Sequence, residues 1–248
     1  MIRMENWENV HVGTSGWHYD DWAGPFYPKD LFKKDFLSYY AEHFNTVEIN
    51  NSFYQLPRKE TLKAWRKSVP PGFIFTVKAS RYITHMKKLK DAQDALSSFL
   101  KRVATLGDKL GPILFQLPPK WHFNPDRFYD FLEALPPGHR YAFEFRDPSW
   151  QDSRAYEAMK LFGIAFCIYD LEGYLSPKEI TTDFIYIRLH GPGKAYRGKY
   201  DVQTLSGWVG AFSAWGNQGI EVFCYFDNDE AGYAAQNALR LQEMMKGS

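Results

Sequence analysis

Cysteine is nearly absent from this chain: Cys167 and Cys224 are the only two in 248 residues. Neither belongs to a CxxC pair, which argues against a metal knuckle, a redox motif and a disulfide framework. Histidine is scarce, with seven in all, and no HExxH occurs, so a multi-zinc centre lacks ligands. Charge of one sign is not in surplus either: 30 Lys and Arg face 29 Asp and Glu. A chain so balanced has no global field to draw in duplex DNA or a membrane surface. No run of about 18 apolar residues occurs, and the opening MIRMENWENV holds no apolar signal core. Together with sparse cysteine, this predicts a cytoplasmic protein. Walker and GxGxxG patterns are missing, and GTSGW lacks nucleophile-elbow spacing. There is no internal repeat and no linker, so one domain over residues 1–248 is expected.

What the chain does contain is apolar and aromatic material, at 45% and 18% of residues. Eight short apolar runs stand out: residues 10–15, 46–50, 73–80, 112–118, 140–146, 163–170, 184–190 and 220–228. Most gaps between them carry apolar residues at helical spacing, such as Leu31, Phe32, Phe36, Leu37, Tyr40, Ala41 and Phe44. Asn124-Pro125 reads as an N-cap followed by proline at the first helical position. Residues 231–245 read as a closing helix. Strands alternating with helices imply parallel pairing, and eight such units imply an α/β fold, the (β/α)8 TIM barrel. The alternative is an open doubly wound sheet. The gap at residues 171–183 is short and holds Gly173 and Pro177, so the sixth helix is expected to be missing or reduced to a turn.

Side chains alternate along a strand, and the helix-facing set must be apolar. In the seventh run Ile185, Ile187 and Leu189 face helices, which turns Tyr186, Arg188 and His190 inward. In the fifth, Phe143 and Phe145 face out while Glu144 and Arg146 face in. The same rule turns Glu48, Asn50, Thr76, Lys78, Ser80 and Gln116 inward. Asp170 and Asp227 sit at the mouths of the sixth and eighth runs. Active sites of such barrels lie at the C-terminal strand ends, where these residues fall. The bland reading is a buried ion network that only fixes strand register. Burying ions costs several kcal/mol each before pairing, and Val, Ile and Leu would fill those positions more cheaply.

The segments VGTSGWHYDDWAGPFYP, FNTVEINNSFYQLP, FTVKASRYITH, LGPILFQLPP, YAFEFRDPSW, YIRLHG and CYFDNDEAGYAAQNA occur in this order over most of residues 12–241. In this the chain resembles the YecE-like proteins, domain of unknown function 72. The resemblance implies a (β/α)8 barrel and, from barrel shape, nucleic-acid or phosphate-linked chemistry, with no defined reaction. Two residues depart from the family pattern. His18 stands where members often have a small polar residue, and Asp227 where many have Asn, so substrate preference is expected to differ.

The residues themselves point to chemistry of a general kind. Glu48 and Glu144 can divide acid and base roles if their surroundings split their proton affinities. Lys78, Arg146 and Arg188 supply fixed positive charge, and Arg81 and His85 extend that clamp. His190 suits proton transfer near neutral pH. Such a mix fits a small anionic ligand, phosphate-bearing or nucleotide-like, handled by a hydrolase or lyase. The expected catalytic set is Glu48, Glu144, Lys78 and His190. The expected binding set is Asn50, Arg81, Gln116, Arg146, Arg188, Trp17, Tyr54 and Asp170. Aromatics follow the strand ends at Trp17, Tyr19, Trp22, Phe53, Tyr54, Trp121 and Trp150, offering flat faces to a sugar or a base, or else packing the loops. No cofactor is predicted, although a single Mg2+ held by carboxylates and water fits the same residues. Two other readings compete: a glycoside hydrolase using the two carboxylates, and a non-catalytic module for single-stranded nucleic acid.

Overall fold

All eight apolar runs form strands. The computed structural model describes residues 7–247, so the first six residues of the MIRMENWENV segment lie outside the described residues. In chain order the strands are β1 (Val10–Thr14), β2 (Thr46–Ile49), β3 (Ile74–Lys78), β4 (Leu110–Gln116), β5 (Tyr141–Glu144), β6 (Ala165–Leu171), a two-residue β7 (Tyr174–Leu175), β8 (Phe184–Leu189) and β9 (Glu221–Phe226). The main helices are α1 (Phe36–His43), α2 (Lys59–Ser68), α3 (Gln93–Val103), α4 (Pro125–Glu133), α5 (Ser153–Leu161), α6 (Val202–Gly216) and α7 (Tyr233–Lys246). The strand order is β1-β9-β8-β6-β5-β4-β3-β2, with β7 attached to β6. The long strands pair in parallel. Parallel strands in this order, joined by helices, are those of an α/β (β/α)8 barrel.

Residue contacts divide the chain into two units. One comprises Glu48–Cys167 and Glu179–Thr182. Its core tests the parity argument directly. Phe143 of β5 stacks on Phe115 of β4 at 5.1 Å, and Phe128 and Phe131 of α4 meet Phe143 at 5.3 and 6.1 Å. Helix-facing positions of β5 are therefore aromatic, and each buried ring contributes about 1.5–3 kcal/mol. The Asn124 side chain caps α4 by accepting from Arg127 N at 3.0 Å, with Pro125 in the first turn.

The other unit contains β1, α1, β6 from Ile168 onward, β7, β8, α6, β9 and α7. Gly13 in β1 permits a close approach: a Cβ there would run into the Thr46 carbonyl oxygen and touch the Tyr40 hydroxyl. Asp201 caps α6 by accepting from Thr204 N at 2.7 Å. Between β6 and β8 a hairpin replaces the sixth helix, as the short gap implied. Asp170 pairs with Leu175 and Leu171 with Tyr174 across Glu172-Gly173. Both turn residues have positive φ, 54° and 79°, the backbone of a tight type I′ hairpin. Among the described residues no helix is long and apolar enough to cross a membrane.

Candidate functional site

In the unit Glu48–Cys167, strand ends carry the polar residues that alternation turned inward. Lys78 is the last residue of β3, Gln116 of β4 and Glu144 of β5. Gln116 and Glu144 are register partners, so they lie side by side. Arg146, two residues beyond Glu144, folds back to place its Nε on Glu144 Oε1. The other carboxylate oxygen lies 4.0 Å from Cys167 Sγ. Glu144 and Glu48 are both fully buried.

Beyond β3 the chain enters a π-helical turn over Tyr82–Met86, a rare geometry often met at functional sites. It carries His85, whose Nδ1 lies 2.9 Å from the Thr84 hydroxyl. Phe53 links this turn to β3: Lys78 Nζ sits 4.3 Å from the Phe53 centroid, and the His85 ring meets Phe53 edge-on at 4.9 Å. Burial, then the charges of Lys78, Arg81 and Arg146, press the His85 pKa down to about 4, against a smaller pull from Glu144. His85 is thus a neutral imidazole at pH 7 in a field of cations. Arg81 is exposed and makes no ion pair among the described residues. Asn50 is half-buried, with its Oδ1 enclosed and unpartnered.

The second unit gathers a different group. Arg188 Nη2 lies 2.8 Å from Asp227 Oδ2 and 3.2 Å from Ser15 Oγ. His190 Nδ1 is also 2.8 Å from Asp227 Oδ2, and its Nε2 is 3.4 Å from Arg188 Nη1. Arg188, His190 and Asp227 are all buried. Asp227 therefore acts here as counter-ion to Arg188, which an Asn at that position could not do. Nearby, the Tyr19 hydroxyl donates to the Ser15 carbonyl at 2.6 Å. Burial and the adjacent Asp227 push the Asp229 carboxyl up to about 9, opposed by a hydrogen bond from Tyr19. Asp170 is half-buried, and burial raises its pKa against the opposing Tyr200 hydrogen bond and the His190 charge.

The structure thus brings Lys78, Glu144 and Arg146 together with His85, and Arg188 and His190 together with Asp227. The expected catalytic residues are more deeply enclosed than an open site implies: Lys78 is 7% exposed and the other three not at all. Of the expected ligand-facing aromatics, Trp17 is buried, as are Trp22, Trp121 and Trp150. Trp150 Nε1 donates to the Trp121 carbonyl at 2.6 Å, so these rings pack loops. Tyr54 differs, with 72% of its surface exposed. Sequence reasoning passed over Asp229, although three acids in the four residues Asp227–Glu230 directly after an apolar strand are a visible signal. It also passed over Asn237, which accepts from Tyr200 N and Asn228 Nδ2 and ties α7 to the segment after β8. Among the described residues no three His, Cys, Asp or Glu side chains are grouped as metal ligands.

Comparison with known proteins places this geometry in a family. The UPF0759 protein YecE of Escherichia coli strain K12 is 30% identical over 144 residues, 57% of this chain and 50% of that protein. The chain thus spans about half the length of that relative. The UPF0759 protein YunF of Bacillus subtilis strain 168 is 26% identical across 95% of this chain and 94% of its own length. A crystal structure of a DUF72 family protein from Thermotoga maritima MSB8 superposes with a TM-score of 0.87 at 30% identity, covering 96% of this chain and 99% of that one. The family model for the protein of unknown function DUF72 matches residues 11–248, and the chain belongs to that family.

Proposed function

We propose that this protein is an enzyme that holds a small phosphate-bearing anion at the ends of β3 and β5 and moves a proton on it. One observation carries the reading: Lys78, Arg81 and Arg146 act together on His85, opposed by a single carboxylate, Glu144, which Arg146 already engages. An anion is the ligand such a field favours, because charge-assisted hydrogen bonds to guanidinium and ammonium are the strong ones. The strand ends are also where barrels of this kind carry their chemistry.

The same field makes His85 a base that responds to the ligand. Without an anion, burial and then the cations keep the imidazole unprotonated. A bound phosphate offsets them, raises the proton affinity of His85 and so strengthens it as an acceptor when substrate is present. Its Nε2 has no protein partner among the described residues, while Nδ1 is oriented by Thr84. Glu144 holds Arg146 in place. In this reading His190, enclosed by Arg188 and Asp227, is not the proton acceptor. A glycosidase reading fits less well, because Arg146 occupies an oxygen that a carboxylate nucleophile needs.

Calorimetric titration with inorganic phosphate tests the proposal. Wild-type protein should bind it. Arg81→Ala, a change at an exposed position, should weaken binding about tenfold or more, the value of one charged hydrogen bond. Glu144→Gln should leave binding intact or tighter. Phosphate affinity unaltered in Arg81→Ala and Lys78→Met would remove these residues from the site.

A further inference from the structure

Resting on the anion site proposed above, we infer that the ligand is a nucleotide whose base stacks on Tyr54. Loop aromatics that serve packing are enclosed in this protein, as Trp17, Trp22, Trp121 and Trp150 show. Tyr54 follows β2 and leaves 72% of its surface in solvent. A lone exposed aromatic is ordinary. What distinguishes Tyr54 is its place in a chain of contacts. Its one ring partner among the described residues is Phe53, at 5.0 Å and nearly perpendicular, 89° between planes. A perpendicular contact leaves at least one face of the Tyr54 ring open. Phe53 in turn carries Lys78 Nζ at 4.3 Å and the His85 ring at 4.9 Å. One buried phenyl ring therefore contacts both an open aromatic face and a cationic group. A sugar phosphate would use the cations but has no π-face to stack on Tyr54. A nucleobase uses both, since every base has a π-face and its stacking on an aromatic is tolerant of base identity.

The test compares three probes on the full chain by calorimetry: inorganic phosphate, ribose 5-phosphate and AMP. Wild-type protein should bind AMP more tightly than ribose 5-phosphate, by about fivefold to about a hundredfold, the usual range for one stacked base. Tyr54→Ala should bring AMP down to the affinity of ribose 5-phosphate and leave inorganic phosphate unchanged. Tyr54→Phe should keep the AMP preference, because the stacking face is retained. Phosphate binding without a preference for AMP, or an AMP affinity indifferent to Tyr54→Ala, overturns the nucleotide assignment alone. Failure of all three probes to bind overturns the anion site with it.

Discussion

Arg188→Met is expected to destabilise the fold by about 3–5 kcal/mol, the cost of leaving a buried ion without its partner. For a chain of this size that corresponds to a fall in Tm on the order of 10 °C. Arg188 is 1% exposed and sits 2.8 Å from Asp227, itself 3% exposed. Methionine fills much of the volume but takes the guanidinium donor away from both the Asp227 carboxylate and the Ser15 hydroxyl. Asp227 must then ionise at high cost or take up a proton. The double variant Arg188→Met with Asp227→Leu removes both charges and should recover most of the loss, since replacing a whole buried pair by apolar groups is often close to neutral. Thermal unfolding of the single and double variants checks this. A single variant as stable as wild type would mean that water already reaches the pair.

Asp229→Asn should act in the opposite direction and depend on pH. Burial and Asp227 raise the Asp229 pKa from 3.8 to about 9. The native state therefore keeps its proton over a range in which the unfolded chain has lost it. Native stability contributed by this group is fully present below about pH 4 and falls as pH rises toward 9, by at most about 1.4 kcal/mol per pH unit. Asparagine has nearly the same shape and cannot ionise. The variant should match wild type near pH 4 and exceed it by a few kcal/mol at pH 8. Unfolding in denaturant at both pH values is the measurement. Parallel stability curves would show that Asp229 is solvated and ionises normally.

Much of the fold was legible in the sequence because parallel strands must be apolar where helices cover them. That rule alone located all eight strands, and the Phe143 contacts with α4 bear out the facing it assigned. The short, Gly-containing gap after β6 foretold the missing helix, since Glu172 and Gly173 both take left-handed backbone. Alternation also brought Glu144 and Arg146 to one face, where they pair. It could not foresee how deeply those charges would be enclosed, because burial depends on what covers the strand ends. The loop aromatics were ambiguous for the same reason. No periodicity distinguishes Trp150, sealed against Trp121, from Tyr54, open to water. His85 was visible as a residue near a clamp, but its depressed proton affinity arises from Lys78, Arg81 and Arg146 converging in space.

The most direct test of the account is an NMR titration of His85 with and without phosphate. Free protein should show His85 titrating near 4, held there by burial and by Lys78, Arg81 and Arg146. Saturating phosphate should move that midpoint upward toward 6.5, the value for an unperturbed imidazole. A His85 midpoint unmoved by phosphate would contradict an anion site at the ends of β3 and β5.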